Sequence, residues 1–498
     1  MSEIDKHKPP TPLYRAEQVR AMDRFAIGEL GIPGIELMRR AGSAPFHALS
    51  EHWPAARTLS VVCGSGNNGG DGYVLARLAV EAGWDVRVYP LAPPATLQGD
   101  ALTACREYQA ADGPLLDFVP ADFEGAQVLV DGLLGTGLDR EVTGLYAEVI
   151  RGMNRFDGGI LALDIPSGLH ADTGRTLGEA VKADLTVTFI GLKQGLFTGY
   201  GPEHCGELVF ADLDAPPSVR ASQPPSAWLL PLWQTGLPRR ARGAHKGNFG
   251  HVLVVGGAPG FCGAARMAAE SAARIGSGLV SLATHPDHAA LMNIGRPELM
   301  CHGVSTAVEL RPLLARASVV AVGPGLGLGQ AGWGRVLFEA VLDSGLPLVV
   351  DADALNLLAI APLKRDDWVL TPHPGEAARL LKTTSAAIQA DRFAAISALR
   401  EKYGGTVVLK GAGTLIMGGA TPEPFVCTQG NPGMASGGMG DVLTGVITGL
   451  LAQGLDFAEA ASAGVRLHGA AGDKAAEDGE RGLLAGDLMP WLRKLINL

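Results

Sequence analysis

Short apolar runs rich in β-branched residues alternate with helix-like stretches along this sequence, and no other feature constrains the fold as much. In the first half the runs are 59–63, 86–89, 128–130, 160–163, 185–189 and 208–210. In the second they are 251–255, 279–283, 319–322, 348–350, 368–370 and 407–409, the first two joined by an Ala-rich helical pattern over 264–275. Strands buried on both faces look like this. With helices between them they predict parallel sheets covered by helices, an α/β fold.

A chain of 498 residues is too long for one ordinary core. The Pro-rich stretch 214–227 has the composition of a linker, and no sequence repeat relates the two halves. The expected organisation is two unrelated α/β domains, 1–222 and 228–498, with 231–246 leading into the second. Hydrophobic residues make up 47% and charged residues 18%, a globular rather than a disordered balance. The net charge of −10 comes with no basic stripe, since Arg239, Arg240 and Arg242 are too few, which argues against a nucleic-acid partner. Phosphorylated ligands have to be held locally, by helix N-termini, a few lysines or a metal ion. The six cysteines, Cys63, Cys105, Cys205, Cys262, Cys301 and Cys427, lack metal-ligand or redox spacing and read as reduced thiols in a cytoplasmic protein. Residues 1–12 are polar and Pro-rich with no apolar signal core, and no apolar run is long enough to span a bilayer.

Gly64-Ser65-Gly66-Asn67-Asn68-Gly69-Gly70-Asp71 follows the first run and precedes a helical pattern from Tyr73. Gly64, Gly66 and Gly69 fit the spacing of a dinucleotide fingerprint. The acid that would grip a ribose is missing, because the next run ends in Pro90, Leu91, Ala92 and Pro93. Asn67, Asn68 and Asp71 add polar groups where a dehydrogenase loop needs bare backbone. The motif reads as a phosphate-binding loop of another kind; the plainer alternative is a turn with Asp71 as a helix cap. Asp131 and Asp164 each follow a strand-like run, and Ser167 lies just beyond the second. Strand C-terminal ends share one edge of a parallel sheet, so Asn68, Asp131, Asp164 and Ser167 can converge as an oxygen-rich set suited to a hard cation. Singly, each carboxylate is equally a turn former.

Asn67-Asn68-Gly69-Gly70-Asp71, Asp131-Gly132-Leu133-Leu134-Gly135-Thr136-Gly137 and Asp164-Ile165-Pro166-Ser167-Gly168 together resemble the NAD(P)H-hydrate epimerase family, over most of residues 12–215. The resemblance implies a Rossmann-like three-layer domain. It implies that Asn67, Asn68, Gly69, Gly70 and Asp71 contact the hydrated cofactor, as do Gly135, Thr136, Gly137, Leu138, Asp139, Arg140 and Glu141. It implies that Asp164 lies near the reacting ring, as a candidate proton carrier, and that Asn68, Asp131 and Ser167 hold a potassium ion.

A second glycine string, Gly437-Gly438-Met439-Gly440-Asp441, precedes a helical pattern from Val442. Free backbone N–H groups at such a helix start form an anion hole, and Asp441 is placed to take a proton from a substrate hydroxyl attacking phosphorus. A helix cap is again the plainer alternative. Lys410-Gly411-Ala412-Gly413-Thr414 follows a strand-like run, where a lysine can reach phosphates, although most lysines are simply solvated. His373 sits in a Pro-Gly turn at the same predicted edge, equally open to a structural and a catalytic role.

With His245-Lys246-Gly247, Arg296-Pro297-Glu298-Leu299-Met300 and Thr371-Pro372-His373-Pro374-Gly375-Glu376, these motifs resemble the ribokinase-like NAD(P)H-hydrate dehydratases over nearly all of 235–498. The resemblance implies that Ala264, Gly325, His373 and Asp441 contact the hydrate. Lys410, Gly411, Ala412, Gly413, Thr414 and Gly440 then contact ADP carrying Mg2+. One departure is Met439, where many relatives carry Ala or Thr; its backbone N–H is still free. A fused pair of this kind epimerises the R and S forms of NADHX and NADPHX, the hydrates of NADH and NADPH, and dehydrates the S form. A homo-oligomer is the expected assembly. Three rival readings are a vitamin-precursor kinase with a regulatory first domain, a non-enzymatic scaffold like the epimerase-like folds of messenger-RNA decapping factors, and a dehydrogenase.

Overall fold

The computed structural model describes residues 10–118, 123–231, 237–328 and 332–497. Residues 1–9 of the polar N-terminal stretch and 232–236 of the expected lead-in lie outside them. The chain divides into two compact units, Pro12–Ala227 and one built on Trp228–Leu498.

In the first unit six strands pair in parallel, in the order Asp85–Pro90, Thr58–Cys63, Val128–Gly132, Gly159–Leu163, Leu185–Phe189 and Glu207–Ala211. One core packs Leu37 and Met38 of the helix Gly34–His52, Tyr73 and Leu75 of Asn67–Glu81, and Tyr108 of Gly99–Ala110 against the sheet. The opposite core holds Val149, Ile150 and Met153 of the helix Gly144–Met153. This makes three layers. The strand order reverses between Thr58–Cys63 and Val128–Gly132, which opens a crevice beyond their carboxyl ends.

In the second unit the sheet runs Met300–Gly303, Leu279–Thr284, His251–Val255, Val319–Val322, Leu348–Val350, Trp368–Leu370 and Thr406–Leu409 in parallel. It continues antiparallel through Thr414–Met417 and Phe425–Cys427. The reversal here falls between His251–Val255 and Val319–Val322. The helix Met439–Ala452 crosses the helix Cys262–Arg274 so closely that a Cβ on Gly445 would lie 1.9 Å from the Ala268 carbonyl oxygen. Both layouts are the expected ones, Rossmann-like and ribokinase-like α/β.

Three expectations are corrected. Both motif helices start inside their motifs, at Asn67 rather than Tyr73 and at Met439 rather than Val442. Their glycines are poor helix formers but pack where a side chain cannot fit: a Cβ on Gly69 would lie 2.1 Å from the Gly64 carbonyl oxygen. The Pro-rich stretch is not an open linker, because the short helix Pro217–Ala221 lies within it and Val219 is fully buried in the first core.

Candidate active sites

In the first unit the crevice is a cavity of about 700 Å³. Asn67, Asn68, Asp71, Gly135, Thr136, Gly137, Leu138, Asp139, Arg140 and Asp164 line it. Gly69 and Gly70 pack behind that wall, against Gly64 and Met38. Glu141 is exposed outside the lining. Asp71 is not a cap: Gly66 holds the cap position, and Asp71 is buried in the second turn. Burial, with Asp164 and Asp23 nearby, raises the Asp71 carboxyl well above the usual range despite Lys193.

Asp164 follows its strand with φ of 63°, a left-handed turn that lets one carboxylate oxygen accept from the Phe189 N–H at 3.1 Å. The same oxygen accepts from the Lys193 ammonium. Lys193 is fully buried and also donates to Thr188 Oγ1 and the Phe189 carbonyl, both at 3.0 Å.

Asn68 and Ser167 meet at the Leu134 peptide, and Asp131 joins them through Ser167. Asn68 Nδ2 donates to the Leu134 carbonyl oxygen at 3.1 Å, and the Leu134 N–H donates to Ser167 Oγ at 2.7 Å. Ser167 Oγ donates to Asp131 Oδ1 at 2.5 Å, and its backbone N–H to Oδ2 at 2.7 Å. Burial pushes Asp131 up to about 6 against the pull of those bonds. Asn68 Oδ1 is buried with no hydrogen-bond partner among the described residues.

The sequence reading missed Asp23, Lys193 and Asp100, all on the cavity wall. Lys193 had a signal, since it follows the run 185–189 at the same sheet edge. Asp23 had one too, because it falls within the apolar stripe of its helix.

In the second unit Asp351 is buried, accepting from Lys410 Nζ and from Thr444 Oγ1, each at 2.7 Å. Lys410 also lies 3.7 Å from Glu376. It is thus no solvated surface lysine. Burial pulls its ammonium down, but Asp351, Glu376 and Asp441 outweigh that and raise it. A Cβ on Gly440 would lie 3.3 Å from Lys410 Nζ, which puts the lysine at the helix start. Beneath the loop that follows, the buried Arg392 guanidinium donates to the carbonyl oxygens of Leu409, Lys410 and Gly413.

Asp441 is not a cap either, because Gly438, with φ of 94°, holds that position. Burial and Asp351 push Asp441 up to about 7, with Lys410 pulling back. Burial likewise lifts Glu376 to about 7. His373 caps the helix Pro374–Leu381, its Nδ1 accepting from the Gly375 N–H at 2.9 Å, which leaves the ring proton on Nε2. Burial and Lys410 lower its pKa. A Cβ on Gly325 would lie 3.3 Å from the Ala264 Cβ, so these two residues share the strand-order reversal.

Comparison with known proteins divides the chain the same way. The family model for the YjeF-related protein N-terminus matches residues 34–195, and that for NAD(P)H-hydrate dehydratase matches 252–494. A bifunctional NAD(P)H-hydrate repair enzyme of Coxiella burnetii is 52% identical, covering 98% of this chain and 100% of its own length. One of Escherichia coli is 43% identical, covering 98% and 94%. A solved ADP/ATP-dependent NAD(P)H-hydrate dehydratase from Bacillus subtilis is 28% identical over 52% of this chain and 94% of its own, with a TM-score of 0.46. With 52% identity to the Coxiella burnetii enzyme over nearly the full length of both, this chain belongs to the bifunctional NAD(P)H-hydrate repair enzymes.

Proposed function

We propose that the chain repairs hydrated NADH and NADPH in two steps. Its first unit interconverts the R and S hydrates; its second returns the S hydrate to the reduced cofactor and consumes ADP. One observation carries this reading. Each unit has a glycine-lined helix start, and beside it sets a carboxyl that makes no hydrogen bond among the described residues, Asp71 in one and Asp441 in the other. Such helix starts hold phosphates, and such carboxyls move protons.

In the first unit, residues 67–71 and 135–140 bind the hydrate, and Asp164 carries a proton at the ring. The bare Asn68 Oδ1, Asp131 and Ser167 suit potassium, a hard cation that takes oxygen donors and offsets the ligand's negative charge.

In the second unit, Ala264, Gly325 and His373 bind the hydrate, while Lys410, the loop to Thr414 and the Gly440 amide hold ADP. Asp441 takes the proton of the ring hydroxyl as that oxygen attacks the β-phosphorus and AMP leaves. Phosphate then departs from the ring carbon with the C–O electron pair, and loss of a proton from the adjacent carbon restores the ring double bond. Magnesium would be held chiefly by the nucleotide's own phosphates with few protein oxygens, and would neutralise phosphate charge.

The proposed setting is a homo-oligomer in the cytoplasm; among the described residues no helix is long and apolar enough to cross a membrane. The test supplies mixed epimers with ADP and follows reduced-nicotinamide absorbance. Recovery of both epimers is expected. Recovery that stops at one epimer's share, or a stable phosphorylated product, overturns the reading.

A further inference from the structure

The helix Ala16–Gly28 buries Val19, Met22 and Ala26. Asp23 lies in that apolar stripe, one turn from both Val19 and Ala26. An acid is costly there unless it has a partner. Yet among the described residues its carboxyl makes no hydrogen bond and no ion pair; the groups acting on it are Asp164, Lys193 and, on its own helix, Arg24. Asp71 in turn feels its charge. Asp23, Asp71, Asp164 and Lys193 all line the one cavity. Burial and Asp164 push Asp23 up to about 6, so the neutral acid and the carboxylate are both populated near neutrality. Asp164 differs, because Lys193 and the Phe189 N–H hold it as an anchored carboxylate.

Where water leaves one face of the ring carbon and returns on the other, a proton has to be given on the first face and taken on the second. We propose that Asp23 is the second proton carrier of the epimerisation, serving the ring face opposite to Asp164. This rests on the epimerase reading above. Asp23 gives its proton to the hydroxyl, the carbon–oxygen bond breaks and water leaves. The ring nitrogen's lone pair closes a cationic carbon–nitrogen double bond. Water adds to the opposite face, its oxygen forming the new bond and its extra proton passing to Asp164. The reverse passage runs from Asp164 to Asp23, and both groups re-equilibrate with solvent between turnovers.

The test uses the full chain and purified R hydrate, with initial epimerisation rates corrected for spontaneous exchange across a pH series. Recovery from S hydrate with ADP serves as the control on the second unit. Asp23→Asn is expected to lower kcat by about 10²–10⁴-fold with KM little changed, and to remove the pH limb near 6. Asp23→Glu, which keeps the carboxyl, is expected to regain part of the rate and the limb. A parent-like kcat in Asp23→Asn, or a loss confined to KM, overturns the assignment. So does an equal loss of kcat in both variants with the limb retained, which marks a structural role. If the unaltered chain does not epimerise R hydrate at all, it is the epimerase reading that falls.

Discussion

Each unit sets a lysine on a carboxylate at the carboxyl edge of its sheet, Lys193 on Asp164 in the first and Lys410 on Asp351 in the second. Around each pair stand carboxyls that burial drives toward the neutral form: Asp71 and Asp23 in one, Asp441 and Glu376 in the other. The lysines differ. Lys193 is fully buried, and Thr188 and the Phe189 carbonyl take its other protons. The Lys410 side chain is 18% exposed and borders Gly440. The first lysine can only fix its carboxylate, while the second can also meet a ligand at the helix start. A site that moves protons needs the immobile arrangement; one that transfers a phosphoryl group needs a cation within reach of the phosphates.

The sharpest way to separate the two sites is Asp441→Asn. It removes the base for phosphoryl transfer and leaves every residue of the first unit unchanged. Recovery of reduced cofactor should fall about 10²–10⁴-fold while epimerisation proceeds at the parent rate. Parent-like recovery removes Asp441 from the mechanism.

The lysines give the next largest effect, read as stability. Lys193→Met strands the Asp164 carboxylate beside an apolar side chain, and breaking a buried pair costs roughly 3–5 kcal/mol. Lys410→Met should cost less, because the Lys410 side chain is already 18% exposed, while Asp351 keeps Thr444 just as Asp164 keeps the Phe189 N–H. Denaturant unfolding of both variants measures the difference. Equal losses would break the contrast between a fixed and a reachable lysine.

Protonation sets a third contrast. With Asp441 up at about 7, the dehydration rate should drop about tenfold per pH unit below that value, because only the carboxylate accepts a proton. The stability effect has the opposite sense. A carboxyl raised in the folded chain stabilises it below its free value, near 4, and that contribution is lost as pH rises through about 7. Asp441→Asn should therefore flatten the stability profile across that window, by on the order of 1–3 kcal/mol. A rate that stays level from pH 8 to pH 5.5 contradicts the assigned base.

Much of this was legible beforehand, for reasons the elements make plain. Runs such as 128–130 and 348–350 are apolar throughout and form strands buried on both faces, so composition alone locates them. Thr414–Met417 and Phe425–Cys427 went unread because strands of three or four residues between glycines and polar residues carry too little pattern. The helix starts at Asn67 and Met439 were placed too late because local propensity disfavours glycine, whereas close packing demands it. Asp71 and Asp441 were each open between cap and site, and His373 between a structural and a catalytic role. Cap geometry separates them, because His373 caps its helix and the two aspartates do not. Asp23 could not be chosen from sequence alone, since nothing in its helix shows that the cavity it faces also holds Asp164.

The smallest effect concerns the cations. In the first unit the proposed potassium ligands belong to the protein, and Asn68 Oδ1 stays bare when no ion is counted. In the second, magnesium is to be carried chiefly by ADP. Replacing sodium with potassium should therefore stabilise the chain without any substrate, by on the order of 1 kcal/mol at concentrations several times the dissociation constant. Magnesium without nucleotide should do much less. Asn68→Ala deletes the bare oxygen and should abolish the potassium shift while leaving the magnesium-ADP shift intact. Thermal unfolding in the two salts reads both outcomes. A potassium shift that survives Asn68→Ala places the ion elsewhere; no shift in the unaltered chain means that the Asn68 oxygen waits for the substrate rather than for an ion.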